Sequence, residues 1–345
     1  MPRIRRIRRK KPRAGSVWKK LLLWGVLGLL VLAAAVVAGS YLYVRAYLKS
    51  DGFLAMLEQS AVDDMNVETA RIDPLDWDGS GIRCGGVTME GHEFLTSLQA
   101  RNIETEFSRW ELLKRAFVIT SVNIAELKLR LAPVPFRFRE KPEGARSWAE
   151  ENILPDTFRL EKGSIDSLSV SYGEVGQLYV LDGTRVESAY DAGSSQYRFE
   201  MQGGRLLLPF KGCPEFSLMS GTAQFNHASR RVNVPSCRLT TAAGGYLDIK
   251  GDWDGSSSSW TANMVVNGVP ASSVLEDHWK KHVQGSVSGG IDLRGGRDGV
   301  THVAGLARLQ GGMLTGLPVL DRLALFCGSS RFRNLPLHEA SAQFT

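Results

Sequence analysis

The sequence has little of what metal, redox or nucleotide chemistry needs. Its four cysteines, Cys84, Cys213, Cys237 and Cys327, stand singly, and no C-x-x-C pair is present to hold zinc or to cycle a disulfide. No G-K-[ST] closes a phosphate loop and no G-x-S-x-G elbow presents a serine. The six histidines miss the spacings that catalysis uses. His92-Glu93 and His338-Glu339 open like H-E-x-x-H, but Thr96 and Ala342 stand where the second zinc ligand belongs. His278 and His282 lie four apart without a clear third ligand, which fits a solvated helix face. Gly79-Ser80-Gly81 begins a dinucleotide fingerprint that Cys84 breaks. These absences point away from an enzyme, and they leave no catalytic residue, cofactor or metal ligand to assign.

Acid is missing altogether from the first twenty residues, which carry ten positive charges. Arg5, Arg6, Arg8, Arg9, Lys10, Lys11, Lys19 and Lys20 dominate this tail, and an apolar run from Leu21 to Val44 follows at once. Those 24 residues, at about 1.5 Å each, reach about 36 Å, enough for a hydrocarbon layer of about 30 Å. Leu21, Trp24, Leu30, Val36, Tyr41 and Val44 mark the expected membrane anchor. Trp18 and Trp24 at one end and Tyr41, Tyr43 and Tyr47 at the other stand where amphipathic rings prefer the headgroup layer. Basic flanks stay on the cytoplasmic side, so the tail is expected inside and everything past Arg45 outside. A cleaved signal peptide is the competing reading, since Ala33 to Ser40 offers small residues. The apolar run, however, exceeds the roughly 7 to 15 residues of a secretory core. Without the tail the chain holds 32 basic against 36 acidic residues, which argues against a nucleic-acid partner.

Beyond the span, apolar and polar residues alternate with period two, as in strands with one wet face. Leu127, Leu129 and Leu131 alternate with charges; Leu168 and Val170 alternate with serines; Leu247 with Ile249 and Met264 with Val266 continue the pattern. Asp182-Gly183, Gly203-Gly204, Gly244-Gly245, Asp254-Gly255 and Asp298-Gly299 read as turns between short antiparallel strands. Gly163, Gly204, Gly221, Gly285, Gly305 and Gly312 read as the openings of loosely repeated units. Asp-Trp-Asp-Gly-Ser occurs at 76–80 and at 252–256 without the glutamate of a calcium loop, and so reads as a hairpin turn. Four short helices are expected: Phe53–Ala61 capped by Ser50 or Asp51, Arg109–Arg115, Trp148–Ile153, and one opened by Ser273 with Glu276 and running to His282. Cys213 and Cys237 can pair in an oxidising compartment; otherwise all four cysteines are expected as buried thiols.

This order of elements resembles the AsmA-like family of envelope proteins. The resemblance rests on the basic tail and span, on the helix at 53–61, and on the strand Phe117–Leu131. Restart of the sheet at Ile153–Asp166 continues it, as do Gln284–Gly295, Gly305–Gly316 and Leu317–Leu323. It implies a mainly β chain in which a transmembrane helix precedes an elongated, strongly twisted antiparallel sheet that forms an open groove. The expected divisions are a tail at 1–20, a span at 21–44, a membrane-proximal β section at 45–132, a proline-rich connection at 133–155 and a repetitive β section at 156–345. It also implies an anchor in the inner membrane, a periplasmic bulk, phospholipid as partner and other envelope proteins as neighbours. Leu127, Leu129, Leu131, Leu168, Val170, Leu247, Ile249, Met264 and Val266 would then line the groove. The rival reading is a membrane-tethered β scaffold that binds an envelope protein or polysaccharide without carrying lipid.

Overall fold

The computed structural model describes residues 46, 50–77, 80–108, 111, 116–134, 157–174, 176–209, 213–226, 228–275, 277–296 and 299–345. The expected tail, the span and the helices at 109–115 and 148–153 lie outside the described residues, Glu111 excepted. Among the described residues no helix is long and apolar enough to cross a membrane.

Seventeen strands join in one sheet. They are β1 (Thr69–Ile72), β2 (Leu75–Trp77), β3 (Gly81–Glu90), β4 (Leu95–Phe107), β5 (Ala116–Leu131), β6 (Thr157–Leu160), β7 (Lys162–Glu174), β8 (Gln177–Asp191), β9 (Gln196–Gln202) and β10 (Arg205–Leu207), followed by β11 (Phe216–Asn226), β12 (Arg231–Thr241), β13 (Tyr246–Asp254), β14 (Ser259–Pro270), β15 (Val283–Gly296), β16 (Gly299–Thr315) and β17 (Asn334–Phe344). Nearly every strand pairs antiparallel with its sequence neighbour. The exception corrects the expectation of a purely antiparallel sheet: β5 pairs in parallel with β6 and β7, so the sheet is mixed. Hairpins cannot make a parallel pair. The long connection after β5 supplies the crossover that such a pair requires.

The helices whose full ranges are described occupy one end of the strands. Helix α1 (Asp51–Met65) extends the expected helix at both ends; Ser50 caps it by accepting from the Phe53 amide at 3.3 Å, and Asn66 ends it in the left-handed region. The helix expected from Ser273 to His282 is instead two single turns, α2 (Ala271–Val274) and α3 (Asp277–Lys280), because Pro270 starts the first and an extended Leu275 breaks it. Helix α4 (Pro318–Phe326) and the 3₁₀ turn Ser330–Arg333 carry no S-x-x-E box and were not expected; Pro318 at the first helical position was the available signal.

Two of the expected turns are not turns. Asp182-Gly183 lies inside β8, where the register with β7 slips, and Gly183 takes a φ of 70°. Gly203-Gly204 joins β9 to β10, which run in the same direction between β8 and β11. Gly244-Gly245 and Asp254-Gly255 do close hairpins, the latter within the second Asp-Trp-Asp-Gly-Ser block, while Asp78 and Gly79 of the first block and Asp298 lie outside the described residues. Gly221 and Gly305 stand within strands instead of opening units.

Candidate functional site

Cross-strand partners share a face of a sheet, so register can be followed from strand to strand. One row runs through fourteen residues: Leu75, Cys84, Ile103, Ile124, Ile165, Val186, Met201, Gly221, Cys237, Ile249, Met264, Ile291, Gly305 and Phe344. It contains no charged and no hydroxyl side chain. At a strand spacing of about 4.8 Å it is about 60 Å long. Glycine enters the row where a neighbour needs the space: a Cβ on Gly305 would stand 2.5 Å from the Phe344 ring.

The nine residues expected on one apolar face fall into this row and its neighbours. Leu127 pairs with Leu168 and Leu129 with Val170, while Leu131 sits between Leu95 and Tyr172. Leu247 pairs with Val266, and Ile249 with Met264 on the central row. Leu247 is buried and the other eight are half-buried.

Strict alternation would not keep this face apolar, since Ile124 and Leu127 are an odd number of residues apart. The strands change phase instead. On β4, Arg101 and Asn102 are both exposed between buried Ala100 and half-buried Ile103, and Asn102 takes a φ of 51°. Met219 and Ser220 do the same on β11 between Leu218 and Gly221, as do Pro235 and Ser236 on β12 and Gln310 and Gly311 on β16. Several of these points coincide with register shifts, as bulges do. Each bulge resets the alternation so that the strand presents apolar side chains to the same side along its whole length.

The opposite face is an ion-pair lattice. Arg83 pairs with Glu104, Arg101 with Glu126, and Arg238 with Asp248 at 2.7 Å. Arg238 holds the Asp248 carboxyl below its ordinary range, Lys128 does so for Glu126, and the Ser169 hydroxyl and Arg205 do so for Asp182. A depression of about 510 Å³ lies at the tips of β11 to β14 and takes in mostly this polar face, with Gln224, Asn233, Asp252 and Thr261 in one register row.

No second sheet covers the apolar face among the described residues, since all seventeen strands belong to one. Burial therefore grades along the strands. On β11 to β13, Leu218, Leu239 and Leu247 are 4%, 3% and 9% exposed, and with Phe216 and Val269 they form the buried core, against which Leu208 and Cys213 pack. On the central row Cys237, Ile249 and Met264 are half-buried. Farther along, Val232 and Trp260 are half-buried and Trp253 is 43% exposed.

The buried rows lie toward the helical end of the strands, which carries α1, α2, α3, α4, Leu208 and Cys213. The other end consists of hairpins and carries a row of rings that the sequence did not disclose: Tyr190, Tyr197, Phe225, Val232, Trp253 and Trp260 are successive partners. Tyr190 and Tyr197 lie 4.9 Å apart. Each ring stands within a residue or two of a turn, the signal that was available.

All four cysteines are free thiols. Cys213 and Cys237 pack against the core without the bond that the sequence allows, and burial pushes both thiols up; Cys327 is exposed, contrary to the expectation of four buried thiols. His278 and His282 flank Trp279, and His282 Nδ1 lies 2.8 Å from the Thr315 carbonyl. No cluster of metal-ligating side chains forms among the described residues. No protein-family model, curated protein or solved structure matches the chain.

Proposed function

We propose that this chain is an inner-membrane-anchored periplasmic protein that holds or conducts phospholipid along the apolar face of its sheet. The twisted sheet serves as an elongated open groove of the AsmA-like kind that the sequence resembles. The observation that carries the reading is the uncharged row from Leu75 to Phe344, left without a covering sheet. An acyl chain in water forgoes roughly 0.8 kcal/mol per CH₂ relative to an apolar environment, and a continuous apolar row restores most of that. A solvated ion-pair face behind the row and an apolar face in front suit a protein that works in water on a lipid.

Native mass spectrometry and lipid extraction of the full chain, purified from the cell envelope, test the proposal. Co-purifying phospholipid is expected. It should be lost in the double variant Leu129→Asp, Val170→Asp, whose sites are direct cross-strand partners, while circular dichroism still reports the sheet. A folded wild-type chain without lipid would favour the scaffold reading.

A further inference from the structure

If the face holds lipid, its two sides are not equivalent. On β11 to β14 the strand ends at the helical side are closed: the core there is almost fully buried, and Val269 has no exposed surface at all. At the hairpin side of β8 to β14 the apolar rows end in the ring row, and the described turn residues beyond it are small or polar. Ala192 to Ser195, Ala228 to Arg230 and Gly255 to Ser258 make up those turns, with Asp191, Arg231 and Asp254 at their bases. On β11 to β14 apolar burial therefore falls from one side to the other and ends at a row that includes side chains pairing an apolar ring with an N–H or O–H. Tyr190, Tyr197, Trp253 and Trp260 are the ring types that settle where hydrocarbon meets water.

Resting on the lipid-holding reading, we infer that phospholipids bound over β8 to β14 lie the same way, with headgroups at the hairpin side and acyl chains directed toward the buried rows. The ring row is the positioning element that fixes the level of the ester linkages. A headgroup at the helical side would have to be seated among Leu218, Leu239 and Val269 without water, at the cost of leaving its polar atoms unpaired. At the hairpin side it stays hydrated while its chains leave water.

Photo-crosslinking on the intact chain separates this inference from the one beneath it. Two phosphatidylethanolamine probes are loaded, one with a diazirine on the headgroup and one with a diazirine at the acyl terminus, and crosslinked peptides are mapped by mass spectrometry. The headgroup probe is expected on peptides containing Tyr197, Phe225 or Trp253, with several-fold less on the Gly244–Gly245 hairpin at the opposite side; the acyl probe is expected on peptides containing Leu218 or Leu239. Headgroup crosslinks spread equally over both sides, or acyl crosslinks at Trp253, overturn the orientation and leave lipid holding intact. Failure of both probes to crosslink anywhere on the apolar face overturns lipid holding as well.

Discussion

The two ends of the same strands are built on different principles. At the helical end α2 (Ala271–Val274), Leu208 and Cys213 lie against the sheet, and Leu218, Leu239 and Val269 are sealed as in an ordinary core. At the hairpin end of β8 to β14 no described element lies over the sheet, and the last apolar residues are large rings in partial contact with water. An open sheet solves its solubility problem twice: by covering at one end, and at the other by residues that tolerate a boundary.

The comparison breaks most visibly under truncation. Leu239→Ala, at the covered end, is expected to cost about 2 to 5 kcal/mol, and Trp253→Ala, at the open end, about 1 kcal/mol. Urea unfolding of the two variants measures both, and equal losses would show that the ends are packed alike. Within the covered end, glycine substitutions sharpen the contrast. Gly245→Ala puts a Cβ 2.6 Å from the Gly268 backbone at a φ of 80°, so it should destabilise well beyond the roughly 1 kcal/mol of conformational strain expected for Gly244→Ala, whose φ is 101° and whose Cβ meets open space. Thermal melts of the pair order them.

The smallest expected effect is at the open end and depends on acid. Asp254 is held down to about 2 from 3.8, first by the Ser256 hydroxyl and amide and then by the Ser257 amide and Arg231. Its folded value lies below its unfolded one, so its contribution is complete above about pH 4 and is lost as pH falls toward 2. Amide resonances of Ser256 and Ser257 should shift with a midpoint near 2, and Asp254→Asn should abolish the transition. A midpoint near 3.8 would mean that the hairpin does not hold its carboxylate.

Much of the sheet could be read from the sequence, because Leu127, Leu129 and Leu131 or Met264 and Val266 repeat with period two over windows long enough to notice. The changes of phase could not. A single left-handed Asn102, or the exposed pair Met219-Ser220, leaves only a short stretch in which alternation fails, and such a stretch looks like a turn or like noise. Asp182-Gly183 shows the cost, since its composition suits a hairpin and its place is inside β8. The parallel seam was hidden because pairing direction is decided by the connection after β5, whose residues carry no mark of direction. The ring row was hidden for a different reason. Tyr190 and Trp260 are 70 positions apart, and only the intervening hairpins bring them onto one line. Helix α4 escaped because the search for helices relied on capping boxes, and Pro318 begins that helix without one.

The order of pairing has a consequence for how the chain assembles. From β7 to β17 most strands meet an antiparallel partner from only a turn away, and β15 and β17 do so after connections that carry α2 and α3 or α4, so each can add to a finished edge once that local connection is made. The seam between β5 and β7 is different, because the whole connection must be present before its far side can dock. Synthesis would therefore pause structurally at one place, with the sheet from β1 to β5 complete and a bare edge waiting, and everything afterwards would be growth from that edge.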